Sequence, residues 1–282
     1  MPFEHRISAI DLQILLKSAA SEINQRDSQG DTMKPAAPCF GFIPARYQST
    51  RFPGKPLADI QGKPMFWHVY QRATSCPQLD QVVLATDDER IYKSARSLEV
   101  AVVMTRPDHP SGTDRILEAA EKLQVPDRAV VVNIQGDEPL LDPTMITSLV
   151  APFSDPAIAV TTLAHPISPR TADNPNRVTV VVSQSGRGLY FSRATLPYDA
   201  SGEDHPIYGH IGIYAYRMDH LKRFVSLGPT LLEKVERLEM LRLLENDIPI
   251  FVQITNAGTL GVDHPDDLAR VIEIMRAAAD RI

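Results

Sequence analysis

From Cys39 onward, short apolar runs alternate with segments whose apolar residues recur at helical spacing. The runs fall at 39–43, 82–85 (Val-Val-Leu-Ala), 100–103 (Val-Ala-Val-Val) and 129–134 (Ala-Val-Val-Val-Asn-Ile). Short β-branched runs of this kind between helices describe strands covered on both faces. Helical patterns fill the gaps at roughly 64–75, 88–98 and 112–123. The alternation predicts an α/β fold with a mostly parallel sheet and, through right-handed crossovers, helices on both faces. Ligands of such sheets sit beyond the carboxyl ends of the strands, so the residues after each strand are where chemistry is expected.

The pattern changes in the second half. Strand-like segments at 158–163, 177–183, 187–192 and 208–216 have few helices between them, which predicts a mixed or antiparallel insertion on the parallel core. A helix is predicted over 230–245, a strand over 249–254 and a final helix over 264–280, returning to the core. Ahead of the core, Ile7, Ile10, Leu15, Ala19 and Ile23 suggest an amphipathic helix over 7–23. The polar stretch from Asn24 to Pro38, with Gly30 and Pro35, reads as a linker. This extension is either a packing helix with a frayed tail or a partner-binding element, and Met33 offers an alternative start just before the first strand.

Composition narrows the function classes. A chain of 282 residues, 43% of them hydrophobic, can bury a substantial core without disulfides or structural metals. Its two cysteines, Cys39 and Cys76, argue against a disulfide framework or a Cys-rich zinc site and fit a reducing compartment. A net charge of −6 argues against broad nucleic-acid binding while leaving room for a local basic pocket. The chain has no run of 18 apolar residues, so no membrane span is expected. Glu4, Asp11 and Glu22, around an apolar stretch of only Ile14-Leu15-Leu16, are unlike a secretory leader. A cytoplasmic location is expected.

The loop after the first strand, Pro44 to Leu57, puts Arg46, Arg51 and Lys55 within ten residues. Gly54 permits close approach of backbone to a ligand, the prolines restrict the loop, and Ser49 and Thr50 add hydroxyls. Such a loop is either a solvated basic surface or a cradle for a polyanion, a triphosphate being the natural candidate. It lacks Walker A spacing. After the fourth strand, Gln135-Gly136-Asp137-Glu138-Pro139 offers a carboxylate suited to Mg²⁺, which takes one or two protein carboxylates plus phosphates and water. Asp263, in Gly261-Val262-Asp263, is either the second carboxylate or the cap of the last helix. Asp266 and Asp267 suit that helix's first turn. In His109-Pro110-Ser111-Gly112-Thr113-Asp114-Arg115, Ser111 or Thr113 either simply caps the next helix or stands where that helix's start faces a base or phosphate. Thr86-Asp87-Asp88 after the second strand is similarly open. The sequence has no GxSxG elbow, HExxH or spaced Cys-His pair to nominate a protein nucleophile.

Taken in order, PARYQSTRFPGKPL (44–57), QGDEP (135–139), FSRA (191–194), HIGIY (210–214) and GVD (261–263) resemble the 3-deoxy-manno-octulosonate cytidylyltransferase (CMP-Kdo synthetase) family, over about Cys39 to Met275. Sialic acid cytidylyltransferases share a related first loop but lack its STRxPGKPL continuation. The resemblance implies a three-layer nucleotidyltransferase-like fold and the reaction of CTP with the ulosonic acid Kdo to give CMP-Kdo and pyrophosphate, with Mg²⁺, for lipopolysaccharide synthesis. By matched position it implies that Arg46, Ser49, Arg51 and Lys55 hold the triphosphate, with Thr86, Asp87, Ser111 and Gln135 also around the nucleotide. Asp137 and Asp263 would carry the metal, and Arg193, His210, Tyr214 and Glu239 would line the acceptor site. It further implies a homodimer built by an acceptor subdomain at about 156–248, on a nucleotide core at about 39–155 and 249–282. Taken alone, His210 reads equally as a strand histidine satisfied by the backbone.

Three positions depart from the family pattern. Thr179 and Gly209 stand where basic residues are usual, and Met240 where glutamine is usual. Either these positions do not touch the sugar, or the acceptor is modified, for example 8-amino-Kdo, since a cationic substituent favours loss of a neighbouring lysine. A non-catalytic binding or regulatory protein that kept the fold is the remaining alternative, against which Arg46, Lys55, Asp137 and Asp263 stand intact.

Overall fold

The structure, a computed structural model, describes residues 37–48, 52–168, 177–200, 202, 205–258 and 260–279. The expected helix over 7–23, its linker up to residue 36, and Ser49, Thr50 and Arg51 lie outside the described residues. The first part runs β1 (Cys39–Ala45), a short hairpin of β2 (Asp59–Ile60) and β3 (Lys63–Pro64), α1 (Met65–Thr74), β4 (Gln81–Thr86), α2 (Glu89–Ser97), β5 (Val102–Met104), α3 (Gly112–Lys122), β6 (Val130–Asn133) and α4 (Pro143–Val150). The second part adds β7 (Val160–Ile167), β8 (Thr179–Val182), β9 (Gly188–Ser192), β10 (Ile207–Arg217), α5 (Met218–Ser226), α6 (Leu231–Glu236), α7 (Leu241–Glu245), β11 (Phe251–Ile254) and α8 (Pro265–Ala279).

One nine-stranded sheet carries both parts, in the order β11-β7-β10-β6-β1-β4-β5, with β8 and β9 branching from β10. β6, β1, β4 and β5 are parallel, as the apolar runs predict. β10 enters antiparallel between β6 and β7. Successive side chains of a strand point to opposite faces, and the sheet uses both. Phe42 and Val131 join Ile116 and Ala120 of α3 and Leu221 and Phe224 of α5 on one face. Ile43, Val130 and Val132 join Phe66 and Val69 of α1 and Ile146 and Leu149 of α4 on the other. The result is three layers, with one large core on each face of the sheet.

Two features differ from the sequence expectation. α4 and α5 fall where no helix is predicted, although Asp142 caps Thr144 N–H and Pro143 sits at the first helical position, both ordinary start signals. The continuous helix expected over 230–245 is two short helices. Arg237 closes α6 in the left-handed conformation at φ 54°, and the chain turns before α7 begins. The break lets Leu238 and Met240 bury in the core, with Glu239 between them pointing at α3. Local helical spacing is a weak preference, and packing has overridden it.

Candidate active site

The ends of β1 and β6 meet the start of α3 around a cavity of about 430 Å³, lined by Pro44–Arg46, Lys55, His109–Gly112, Arg115, Gln135–Asp137 and Asp263. Its narrowness is built into the glycines. A Cβ on Gly136 would stand 2.7 Å from the carbonyl oxygen of Pro44, so no side chain fits there.

The cationic loop is folded back by backbone. Gly54, at φ 73°, donates its N–H to the carbonyl of Tyr47 at 2.9 Å. A side chain at Gly54 would be strained in that conformation and would press on the Tyr47 ring. Arg90 lies over the other part of that ring, 3.2 Å from its centroid, and braces the loop base. The turn then delivers Lys55 to the cavity. Its Nζ donates to Asp137 Oδ2 at 2.7 Å and to the carbonyl of Val262 at 2.8 Å, and lies 3.6 Å from Asp263 Oδ1.

Asp263 comes from far along the chain, and a small third core brings it in. Val262 is fully buried with Ile60, Met65 and Val271, so α8 is docked on the β2–β3 hairpin. Val262 N–H also donates to the carbonyl of Asp137 at 2.9 Å. Two carboxylates from different elements thus share one ammonium. Two partly exposed carboxylates converging on one cation also suit a hard divalent ion completed by phosphate and water. Asp267 accepts the N–H groups of Asp263 and His264 and so caps this helix start from its first turn.

The other expected nucleotide residues divide. Arg46 lines the cavity. Ser111 caps α3, accepting the N–H groups of Thr113 and Asp114, and lines the cavity as well. Gln135 lines it too, its Nε2 donating to the carbonyl of Gly212 at 2.7 Å. Asp87 accepts from Arg115 at 3.0 Å and sits in the wall of a neighbouring recess beside Arg46. Thr86 is fully buried and accepts the N–H of Asp88, away from the cavity wall.

The expected acceptor residues lie in three places. His210 and Tyr214 belong to β10, which bulges between Ile211 and Tyr214 and so frees the Gly212 carbonyl that Gln135 takes. His210 Nε2 shares hydrogen bonds with Thr162 Oγ1 at 2.9 Å and Tyr214 OH at 3.0 Å, and Phe191 meets its ring edge-on. Burial pushes the imidazole down to about 3, so it is neutral at physiological pH. Burial likewise pushes the Tyr214 phenol up, with Glu239 nearby adding to the effect. Glu239 lines a second cavity, which shares Pro110 and Ser111 with the first. Burial raises its pKa, against hydrogen bonds from Ser111 and Thr113 that lower it. Its Oε2 accepts from Thr113 Oγ1 at 2.8 Å, while Oε1 is buried with no partner among the described residues. Arg193 is exposed, with Nε donating to the carbonyl of Glu236 and Nη2 to that of Arg237.

The three departing positions are packed against protein. Thr179 is buried and donates to the carbonyl of Ala194 at 2.7 Å. Gly209 faces Ile167, whose Cγ2 would be 3.0 Å from an added Cβ. Met240 belongs to the core under α5. Sequence reasoning assigned no role to Arg115, which lines the cavity, and did not single out Glu118, which holds the cavity-lining His109. Arg115 is buried and holds Thr105 Oγ1 and the carbonyl of Arg106 as well as Asp87.

A family model described as Cytidylyltransferase matches residues 40–250. A 3-deoxy-manno-octulosonate cytidylyltransferase of Oleidesulfovibrio alaskensis is 58% identical over 243 residues, covering 86% of this chain and 98% of that protein. Its namesake in Lawsonia intracellularis is 54% identical over 81% of this chain and 91% of its own. Among solved structures, a CMP:2-keto-3-deoxy-manno-octonic acid synthetase complexed with CTP superposes with a TM-score of 0.82 at 41% identity, over 86% of this chain and all of that one.

Proposed function

The chain belongs to the cytidylyltransferase family, and from that premise we infer that it transfers CMP from CTP to the anomeric hydroxyl of Kdo, releasing pyrophosphate. The observation that carries this reading into the residues is Lys55 held between Asp137 and Asp263 at the wall of the cavity. A polyanion arriving there meets Arg46 and Lys55, and Lys55 can turn from the carboxylates to a phosphate oxygen. The attacking group is a substrate hydroxyl and the leaving group is pyrophosphate, so positioning and charge stabilisation suffice and no protein nucleophile is required.

Asp137 and Asp263 would hold Mg²⁺ once Lys55 engages the triphosphate; bound there, the ion would offset charge on the reacting phosphate and make pyrophosphate a better leaving group. Glu239, whose Oε1 is an unused acceptor, would take a hydrogen bond from a sugar hydroxyl. The neutral His210, fixed by Thr162 and Tyr214, would present a polar edge without charge. Nothing at Thr179, Gly209 or Met240 favours a modified acceptor, since each is occupied with packing.

The reading extends to a magnesium-dependent homodimer in the cytoplasm that supplies activated Kdo for lipopolysaccharide. Exposed Leu189, Leu231 and Val235, all in the second half, support self-association on that side, and sedimentation at micromolar concentration tests it. Among the described residues no helix is long and apolar enough to cross a membrane. The decisive experiment is pyrophosphate release from CTP with Kdo, with and without Mg²⁺. Release that requires both substrates and the ion supports the reading, and no release with any ulosonic acid overturns it.

A further inference from the structure

The wall of the cavity formed by residues 109–115 has a buttress that the reaction as described does not use. Glu118, one turn along α3 from Arg115, reaches back to the loop ahead of its own helix. Its carboxylate accepts from His109 Nε2, from the backbone N–H of Arg106 at 3.2 Å, from Arg106 Nε at 3.4 Å and from Lys122 Nζ at 2.7 Å. Burial alone would raise its pKa; the hydrogen bonds from Lys122, His109 and Arg106 outweigh that and hold it at about 2. A carboxylate so ionised only accepts, so it holds the hydrogen on His109 Nε2. The His109 side chain is only 5% exposed, yet it lines both the main cavity and the recess beside Arg46. Its bond to Glu118 is the one hydrogen bond of the ring among the described residues, which leaves Nδ1 for a ligand.

The phosphates of a nucleotide are claimed by Arg46 and Lys55. Beside His109 the wall holds Pro110, Ser111, Gly112 and Arg115; the Ser111 hydroxyl is committed to Asp114 and to the start of α3, the Arg115 fork to Asp87, Thr105 and Arg106, and across the cavity the Gln135 amide N–H₂ to the Gly212 carbonyl. We propose that His109 is a base-reading residue and Glu118 its positioning residue: by fixing the ring, Glu118 turns His109 Nδ1 into an acceptor for the 4-amino group of cytosine. Uracil presents a carbonyl oxygen at that position, so two acceptors would face each other and the wrong nucleotide is refused. Sites built to satisfy a specific polar group discriminate strongly because the mismatch leaves buried groups unpaired.

This inference rests on the cytidylyl-transfer reading, and its test separates the two. Pyrophosphate release is measured with saturating Kdo, at varied CTP or UTP, for the wild type, His109→Gln, His109→Asn, Glu118→Gln and Glu118→Ala, with thermal melting as the folding control. A glutamine places its terminal group where Nε2 stands and keeps the Glu118 contact, but has no acceptor at the Nδ1 position; an asparagine places an oxygen there. His109→Gln is expected to lower kcat/KM for CTP about 10-fold or more, mainly through KM, with UTP nearly unchanged, so that the CTP-to-UTP ratio collapses. His109→Asn retains much of the ratio. The two Glu118 variants raise KM for CTP about 10-fold while kcat stays within about threefold. A ratio unchanged in His109→Gln and in both Glu118 variants, or equal losses for both nucleotides, overturns the proposal. Should any variant melt early, CTP-over-UTP thermal protection of the remaining ones decides by the same ratio. A wild type inactive with CTP and Kdo would instead defeat the underlying reading.

Discussion

The side of this molecule proposed to hold the nucleotide and the side proposed to hold the acceptor are built on opposite electrostatic plans. On the nucleotide side, Lys55, Asp137 and Asp263 are charged, partly accessible and paired with one another. On the acceptor side, His210 is neutral, Tyr214 stays protonated and Glu239 is pushed toward its neutral form, all by burial. A triphosphate and its counterion need mobile full charges that can exchange partners. A sugar needs fixed dipoles whose own hydrogen bonds already orient them. The first plan tolerates solvent, whereas the second works only where water is kept out.

Five measurements bear on that contrast. Asp137→Asn is expected to lower kcat about 1,000-fold with melting preserved, because it removes one of the two carboxylates proposed to hold Mg²⁺; a loss under tenfold would detach Asp137 from the metal. Lys55→Met should lower kcat/KM for CTP about 100-fold with the Kdo KM little changed. Equal effects on both substrates would blur the two sides into one. Glu239→Gln should do the converse, raising the Kdo KM about tenfold and leaving the CTP KM within about twofold.

The fourth is a pH dependence. The folded pKa of His210, about 3, lies below its ordinary 6.5, so the unfolded chain binds the extra proton. Its contribution to stability is complete above pH 6.5 and is lost as pH falls from there toward 3, at up to about 1.4 kcal/mol per pH unit. The melting difference between wild type and His210→Asn should therefore be largest at pH 7.5 and shrink by pH 5. A constant difference would mean that His210 is not held neutral. The smallest effect is expected of Arg237→Gly, which relieves a left-handed non-glycine residue and should stabilise by about 1 kcal/mol or less. A marked loss in denaturant titration would show that the Arg237 side chain, not the break itself, matters.

The nucleotide side was the more legible in sequence for a physical reason. Its residues follow parallel strands directly, so Lys55 and Asp137 could be placed from the runs before them. Asp263 was left open between metal and cap, and no spacing rule could show that the packing of Val262 brings it beside Lys55. The acceptor side depends on contacts between distant elements. Glu239 reaches Thr113 because a helix breaks at Arg237, where Leu238, Met240, Leu241 and Leu243 still recur as a helix would have them. Glu118 stands four residues before Lys122, the spacing of an ordinary helix-surface pair, and its grip on His109 is a tertiary fact. The start of α4 was legible in Asp142-Pro143, and its absence from the sequence reading is a missed signal. α5 has no side-chain cap at Arg217 and grows straight out of β10, so little announced it.

β10 sits in the interior of the sheet, bonded to β6 on one side and β7 on the other, while also bearing His210 and Tyr214. If His210 and Tyr214 face the acceptor as proposed, that wall is not a cassette that recombination could lift out and replace. Grafting it from a relative would pull the keystone from the whole protein, and new acceptor preferences in this lineage must arise residue by residue on a strand that cannot be spared.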